Sequence, residues 1–105
     1  MLLDECVPRP LKREFPGHDV RTVVEMGWGS KRNSELLVLM LAGGFNAFVT
    51  VNQNLEFQQN VRASGIAVVV ILARSNRLKE LRPLAPSVLD ALGRINPGEL
   101  IRVEA

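Results

Sequence analysis

The run Ile66-Ala67-Val68-Val69-Val70-Ile71-Leu72 constrains the fold more than any other stretch. It is apolar throughout and mostly β-branched. Successive side chains of a strand point to opposite faces of its sheet. A strand that is apolar on both faces must therefore be covered on both, as in a parallel sheet flanked by helices. Ala47–Val51 has the same character and reads as a second such strand.

Further elements follow from shorter signals. Met1–Leu3 reads as a buried strand that stops at Asp4-Glu5. Pro8 and Pro10 admit a helix start, and Leu11–Phe15 gives one or two helical turns closed by Pro16-Gly17. His18–Val24, with Val20, Val23 and Val24, is β-rich and reads as a strand. Glu25–Arg32 is a loop around Gly27-Trp28-Gly29. Asn33 or Ser34 caps a helix running to about Ala42, with Glu35 favourable to its dipole and Gly43-Gly44 closing it. That helix is apolar nearly all round, which predicts burial on two sides, by the sheet and by another helix or a partner chain.

Leu55–Ala63 reads as a helix and Arg74–Arg77 as a basic loop. Lys79–Arg82 begins a helix that Pro83 interrupts, and Pro86–Arg94 is a second helical piece. Leu100–Val103, alternating with Arg102 and Glu104, reads as an edge strand. Strands alternating with helices predict one α/β domain over residues 1–105, built on a mostly parallel sheet of four to five strands.

Composition excludes several classes. The chain is 47% apolar and 23% charged, which suits a globular fold. Its few aromatics and lack of Tyr argue against a base-stacking platform. A net charge of +2 neither demands nor excludes nucleic acid. The single Cys6 leaves no internal disulfide and is compatible with a reducing compartment. No apolar run approaches the roughly 18 residues of a membrane span, and the opening residues lack a signal-peptide pattern. A cytoplasmic protein without membrane contact is expected.

Ligands of open α/β sheets bind beyond the carboxyl ends of the strands. Asp4 lies at one such end. The polar stretch Thr50–Asn54 lies at another, with Gln58 in the helix that follows. Asp4 either caps its own turn or faces Thr50–Asn52 in a site for a hard cation, which takes oxygen ligands. Asn33 and Glu35 either cap their helix or join the pocket, though residues two apart on a helix do not share a face. Arg9, Lys12, Arg13, Lys31, Arg32, Arg62, Arg74 and Arg77 either flank the rim and hold phosphates or form an ordinary solvated surface. Trp28 is an interface anchor or a lid over the core. His18 ends a turn, and Cys6 serves packing. There is no glycine-rich phosphate loop, zinc spacing or serine triad.

Several pieces share an order and spacing with one family. Leu2-Leu3-Asp4-Glu5-Cys6-Val7-Pro8 resembles the opening "LLDEnlP" of the PIN-like proteins related to the toxin nucleases of toxin–antitoxin pairs. Pro16-Gly17-His18-Asp19-Val20 resembles their "GHDV" entry to a second strand. Asn33-Ser34-Glu35-Leu36-Leu37 sits where they carry "D-x-E-I-L" or "N-x-E-L-L". Phe48-Val49-Thr50-Val51-Asn52-Gln53-Asn54-Leu55 looks like their "LVT-x-D-x-(D/N)-(F/L)", and Leu81–Pro86 looks like the tail of one branch.

The resemblance implies a PIN-like three-layer α/β/α sandwich. In active members, acidic residues bind Mg²⁺ or Mn²⁺ and activate a water that cuts RNA. By position, Asp4 stands for the first acid, Asn33 or Glu35 for the second, Asn52 for the third, and Asn54 for a further one. The implied catalytic set is Asp4, Glu35 and Asn52, with Asp4 and Glu35 on the metal. The implied substrate contacts are Asn33, Thr50, Asn54, Gln58 and Arg9. Glu5, Glu35 and Glu56 are candidate substitutes for a lost acid.

The asparagines depart from the family pattern, because each keeps a carbonyl oxygen and loses a full negative charge. Two readings follow. One is a toxin-like, metal-dependent endoribonuclease or its degenerate descendant. The other is a non-catalytic PIN-like module that binds RNA or a partner protein such as an antitoxin. The apolar helix over 36–42 adds the expectation of a homodimer.

Overall fold

A computed structural model describes residues 1–104. Five strands form one sheet: β1 (Leu2–Leu3), β2 (Arg21–Thr22), β3 (Ala47–Thr50), β4 (Ala67–Leu72) and β5 (Leu100–Glu104). Their order is β2-β1-β3-β4-β5, and every pairing is parallel. The helices are α1 (Asn33–Ala42), α2 (Leu55–Ala63), α3 (Leu78–Leu81) and α4 (Ala85–Arg94). Short 3-10 helices cover Arg9–Glu14 and Arg82–Leu84. The fold is α/β, as the alternation of strand and helix signals implies.

Register explains why the central strands are apolar throughout. One row across the sheet runs Thr22, Leu3, Val49, Val69, Ile101; the next runs Arg21, Leu2, Phe48, Val68, Leu100. The first row faces Leu11 and Phe15 from the first 3-10 helix and its C-cap, Leu81 of α3, Leu84 of the second 3-10 helix and Val88 of α4. The second faces Leu36 and Met40 of α1 and Phe57 and Val61 of α2. Each face of the sheet thus carries its own core, and β4, buried along Ala67–Ile71, supplies both. Phe48 and Phe57 meet edge to face across the second core, with centroids 5.8 Å apart.

Three local expectations are corrected. The strand expected over 18–24 shrinks to Arg21–Thr22. Thr22 and Glu25 close a reciprocal pair, in which the Glu25 N–H donates to Thr22 Oγ1 and the Thr22 N–H to Glu25 Oε1, both at 3.0 Å. That turn throws Val24 out to 62% exposure. α1 has its expected span but covers only one side. Leu36 and Met40 are buried, while Val38 is 64% and Leu41 48% exposed. The six-residue element after Pro8 is a 3-10 helix, with Pro10 in its first turn.

α1 ends in a Schellman motif. Gly44 adopts φ +76°, its N–H donates to the Leu41 carbonyl, and the Phe45 N–H reaches the Met40 carbonyl at 3.1 Å. This fixes Phe45, against whose ring Trp28 packs edge to face at 5.7 Å. Among the described residues, no helix is long and apolar enough to cross a membrane.

Candidate functional site

A cleft of about 280 Å³ opens at the carboxyl ends of β1 and β3. Its walls are Asp4, Glu5, Cys6, Val23, Trp28, Lys31, Asn33, Leu36, Val51 and Asn52. The parallel sheet places the first and third strands side by side, so residues far apart in sequence converge there.

Asp4 continues the ladder past β1, its N–H donating to the Val49 carbonyl at 2.9 Å. Its side chain turns inward and is 7% exposed. Both carboxylate oxygens are engaged. Oδ1 accepts the Glu5 N–H at 2.8 Å, and Oδ2 accepts the Thr50 hydroxyl at 2.7 Å. Asp4 therefore both caps its own turn and faces the end of β3. A buried carboxylate is costly without such partners, and hydrogen bonds to a charged group are the stronger kind.

Thr50 is the hub beneath the cleft. Its one hydroxyl proton goes to Asp4, and its oxygen accepts the Asn52 N–H at 2.9 Å. The Cys6 sulfur lies 3.8 Å from the same oxygen. With the hydroxyl proton committed, the Cys6 S–H is the donor. Burial first, and then the Asp4 charge, pushes the Cys6 thiol above its ordinary range, so it stays protonated at neutral pH.

Further along, the Asn52 carbonyl oxygen Oδ1 accepts the Asn54 N–H at 2.9 Å. Asn54 in turn caps α2, its Oδ1 accepting the Phe57 N–H at 3.1 Å. Gln58, buried, donates its amide to the Asn52 main-chain carbonyl at 2.6 Å. A relay of hydrogen bonds thus runs from Asp4 through Thr50, Asn52 and Asn54 into α2. Because Asn52 spends its oxygen on the relay, the rest of its amide is a hydrogen-bond donor.

The expected site residues separate by position. Asp4, Asn33 and Asn52 line the cleft together, with Thr50 directly below. Glu35 is exposed on α1 and is not among the cleft residues. Asn54 lies in a neighbouring depression with Asn33, Ser34, Glu56, Phe57 and Asn60, so Asn33 stands between the two hollows. Gln58 packs behind the rim. Arg9 belongs to another depression, of about 470 Å³, shared with Pro10, Lys12 and Arg13. There Glu25 takes both oxygens to the Lys12 ammonium at 2.8 Å, with Arg9 at 3.5 Å. The Lys12 ammonium in particular holds the Glu25 carboxyl below its ordinary range.

Sequence reasoning missed Glu25 and the place of Cys6 beside Asp4. The spacing Thr22-Val23-Val24-Glu25 does carry a signal, since Thr-x-x-Glu is the pattern of reciprocal capping bonds. Trp28 is a lid over the core beside the cleft, half-buried against Phe45.

The donor set suits a hard divalent cation poorly. Asp4 and Glu5 are the carboxylates in the cleft wall. The Asp4 oxygens already accept bonds, and Glu5 Oε2 accepts the Ser30 N–H at 3.3 Å. Asn33 and Asn52 are neutral. Mg²⁺ gives up its waters reluctantly and needs charge in return. Among the described residues, no three His, Cys, Asp or Glu side chains form a cluster suited to a metal ion.

The Asn76 amide donates to the Cys6 carbonyl at 3.1 Å and ties the loop of Arg74 and Arg77 to the rim. Both arginines are exposed, as are Arg13 and Lys31. Compared with known proteins, the chain matches no protein-family model, no curated protein and no solved structure.

Proposed function

We propose that this chain is a cytoplasmic, PIN-like descendant of a metal-dependent endoribonuclease, and that it holds RNA without cutting it. The observation that carries this reading is the engagement of the Asp4 carboxylate. Its two oxygens serve the fold, and the positions around it are amides. Such a site keeps the shape of a cation pocket and lacks the charge to dehydrate Mg²⁺ or Mn²⁺, which bind weakly at most. Amide donors from Asn33 and Asn52, with Lys31 in the cleft wall, suit a phosphate or a base edge. Arg13, Arg74 and Arg77 supply the sequence-independent attraction for a phosphate backbone.

The test pairs cleavage with binding. Purified protein is incubated with mixed RNA and Mn²⁺ beside Asp4→Ala. Binding of a labelled single strand is followed by anisotropy against salt. The expected result is no metal-dependent cleavage in either protein. The expected binding weakens on Arg74→Ala/Arg77→Ala, with the salt slope falling by about one to two. Cleavage by the wild type that disappears in Asp4→Ala would restore the nuclease reading.

Exposed Val38 and Leu41 favour a second reading, a partner protein such as a small antitoxin seated on α1. In that case Val38→Glu/Leu41→Glu abolishes capture of the partner and leaves RNA affinity unchanged.

A further inference from the structure

We infer that the outer edge of β5 is a self-pairing surface, on which two copies of the chain join antiparallel with Arg102 of each opposite Glu104 of the other. β5 pairs with β4 alone. In their register Val68 lies opposite Leu100, and the Val68 N–H donates to the Glu99 carbonyl. The parallel pattern then commits the backbone groups of Ile101 and Val103 to β4 and turns those of Leu100, Arg102 and Glu104 outward. Among the described residues, no backbone bond from another segment covers them.

The other edge of the sheet is blunted. β2 has two residues, and the Thr22–Glu25 turn ends it. β5 has five residues in an unbroken register without proline or bulge. Exposed edges are commonly protected by proline, bulges or charges that repel a second copy. Here the two exposed side chains carry opposite sign. They lie two apart and therefore on one face.

In an antiparallel pair, residues whose backbone groups point outward must face one another. Three registers oppose more than one such residue on each strand, Arg102 opposite Arg102 with three opposed positions and the other two with two each. Arg102 opposite Arg102 sets like charges together, which destabilises. Leu100 opposite Arg102 leaves Glu104 without a partner. Arg102 opposite Glu104 makes two ion pairs about a two-fold axis at Val103, with about four new backbone hydrogen bonds. The strand's own charge pattern thus selects one register. An edge contact of this kind buries less than the roughly 1,200 Å² of a standard interface, so the dimer is weak and concentration-dependent. Self-pairing at β5 does not depend on whether the cleft binds RNA.

The test is sedimentation equilibrium of the full chain over a range of concentrations. The wild type should self-associate. Arg102→Glu should weaken the dimer by about tenfold or more, since two symmetric pairs change from attraction to repulsion. The charge swap Arg102→Glu/Glu104→Arg should restore wild-type association. Both residues are exposed, and far-UV circular dichroism checks that each variant is folded. A wild type that stays monomeric, or a swap that fails to rescue, overturns the proposal. So does a dimer that survives Arg102→Glu and falls to Val38→Glu, which moves the interface to α1.

Discussion

The side chains of Asp4 and Thr50, 46 residues apart in the chain, meet through a 2.7 Å hydrogen bond in the buried floor of the cleft. The bond joins the end of β1 to the end of β3. Thr50 has no second proton to give, and Asp4 has no oxygen free of a partner.

Thr50→Val keeps the side-chain shape and removes the hydroxyl. It strands one oxygen of a buried carboxylate and takes away the acceptor for the Asn52 N–H. Losing a hydrogen bond to a charged group predicts a loss of about 2 kcal/mol or more. Thr50→Ser, which keeps the hydroxyl, should stay within about 1 kcal/mol of the wild type. Urea unfolding of the three proteins measures both. Equal midpoints for Val and wild type would remove the bond from any account of stability.

Glu25 gives a pH dependence with a definite sign. Its folded pKa is lowered by the Lys12 ammonium. Its contribution is therefore fully present above the ordinary carboxylate value of about 4.3. It is lost as the pH falls through the lower, folded value. Glu25→Gln should thus be less stable than wild type at neutral pH, and the gap should close as the solution is acidified below about pH 4. A gap that widens in acid would reverse the assignment. Denaturant midpoints across that range decide it.

Asn54 separates a capping role from a binding role. As the N-cap of α2, Asn54→Ala should cost about 1 kcal/mol. Asn54→Asp keeps the acceptor and adds charge at the positive end of the helix, so it should be neutral or slightly stabilising. If both variants unfold at the wild-type midpoint, the cap is energetically idle and the side chain is free for a ligand.

The layout of the sheet was legible because its signals are local and strong. Ala47–Val51 and Ile66–Leu72 are apolar on both faces, and a parallel sheet explains that directly. α1 and α2 were legible from their first turns and the glycines that follow. β2 was not, because its length depends on the Thr22–Glu25 turn and not on the valines around it. The exposure of Val38 and Leu41 was equally hidden, since an apolar helix does not say which of its neighbours is present. At the site, the sequence left Asp4 and Asn33 between capping and the pocket, and only the resemblance grouped them with Asn52. It did not show that Thr50 and the Glu5 N–H each bond an Asp4 oxygen, because that requires the pairing of β1 with β3. The pairing of Glu25 with Lys12 and Arg9 likewise joins segments that the chain brings together only once folded.

The order β2-β1-β3-β4-β5 also has a consequence in time. β1 occupies an inner position, yet one of its neighbours is Ala47–Thr50. During synthesis, Leu2 and Leu3 emerge long before Phe48 and Val49 exist to pair with them. Closing so long a loop must precede any gain from the contact, which slows folding. β1 can pair with β2 early, but its pairing with β3 spans the longest stretch of chain in the sheet, so it is the pairing a strand waits longest to make during synthesis.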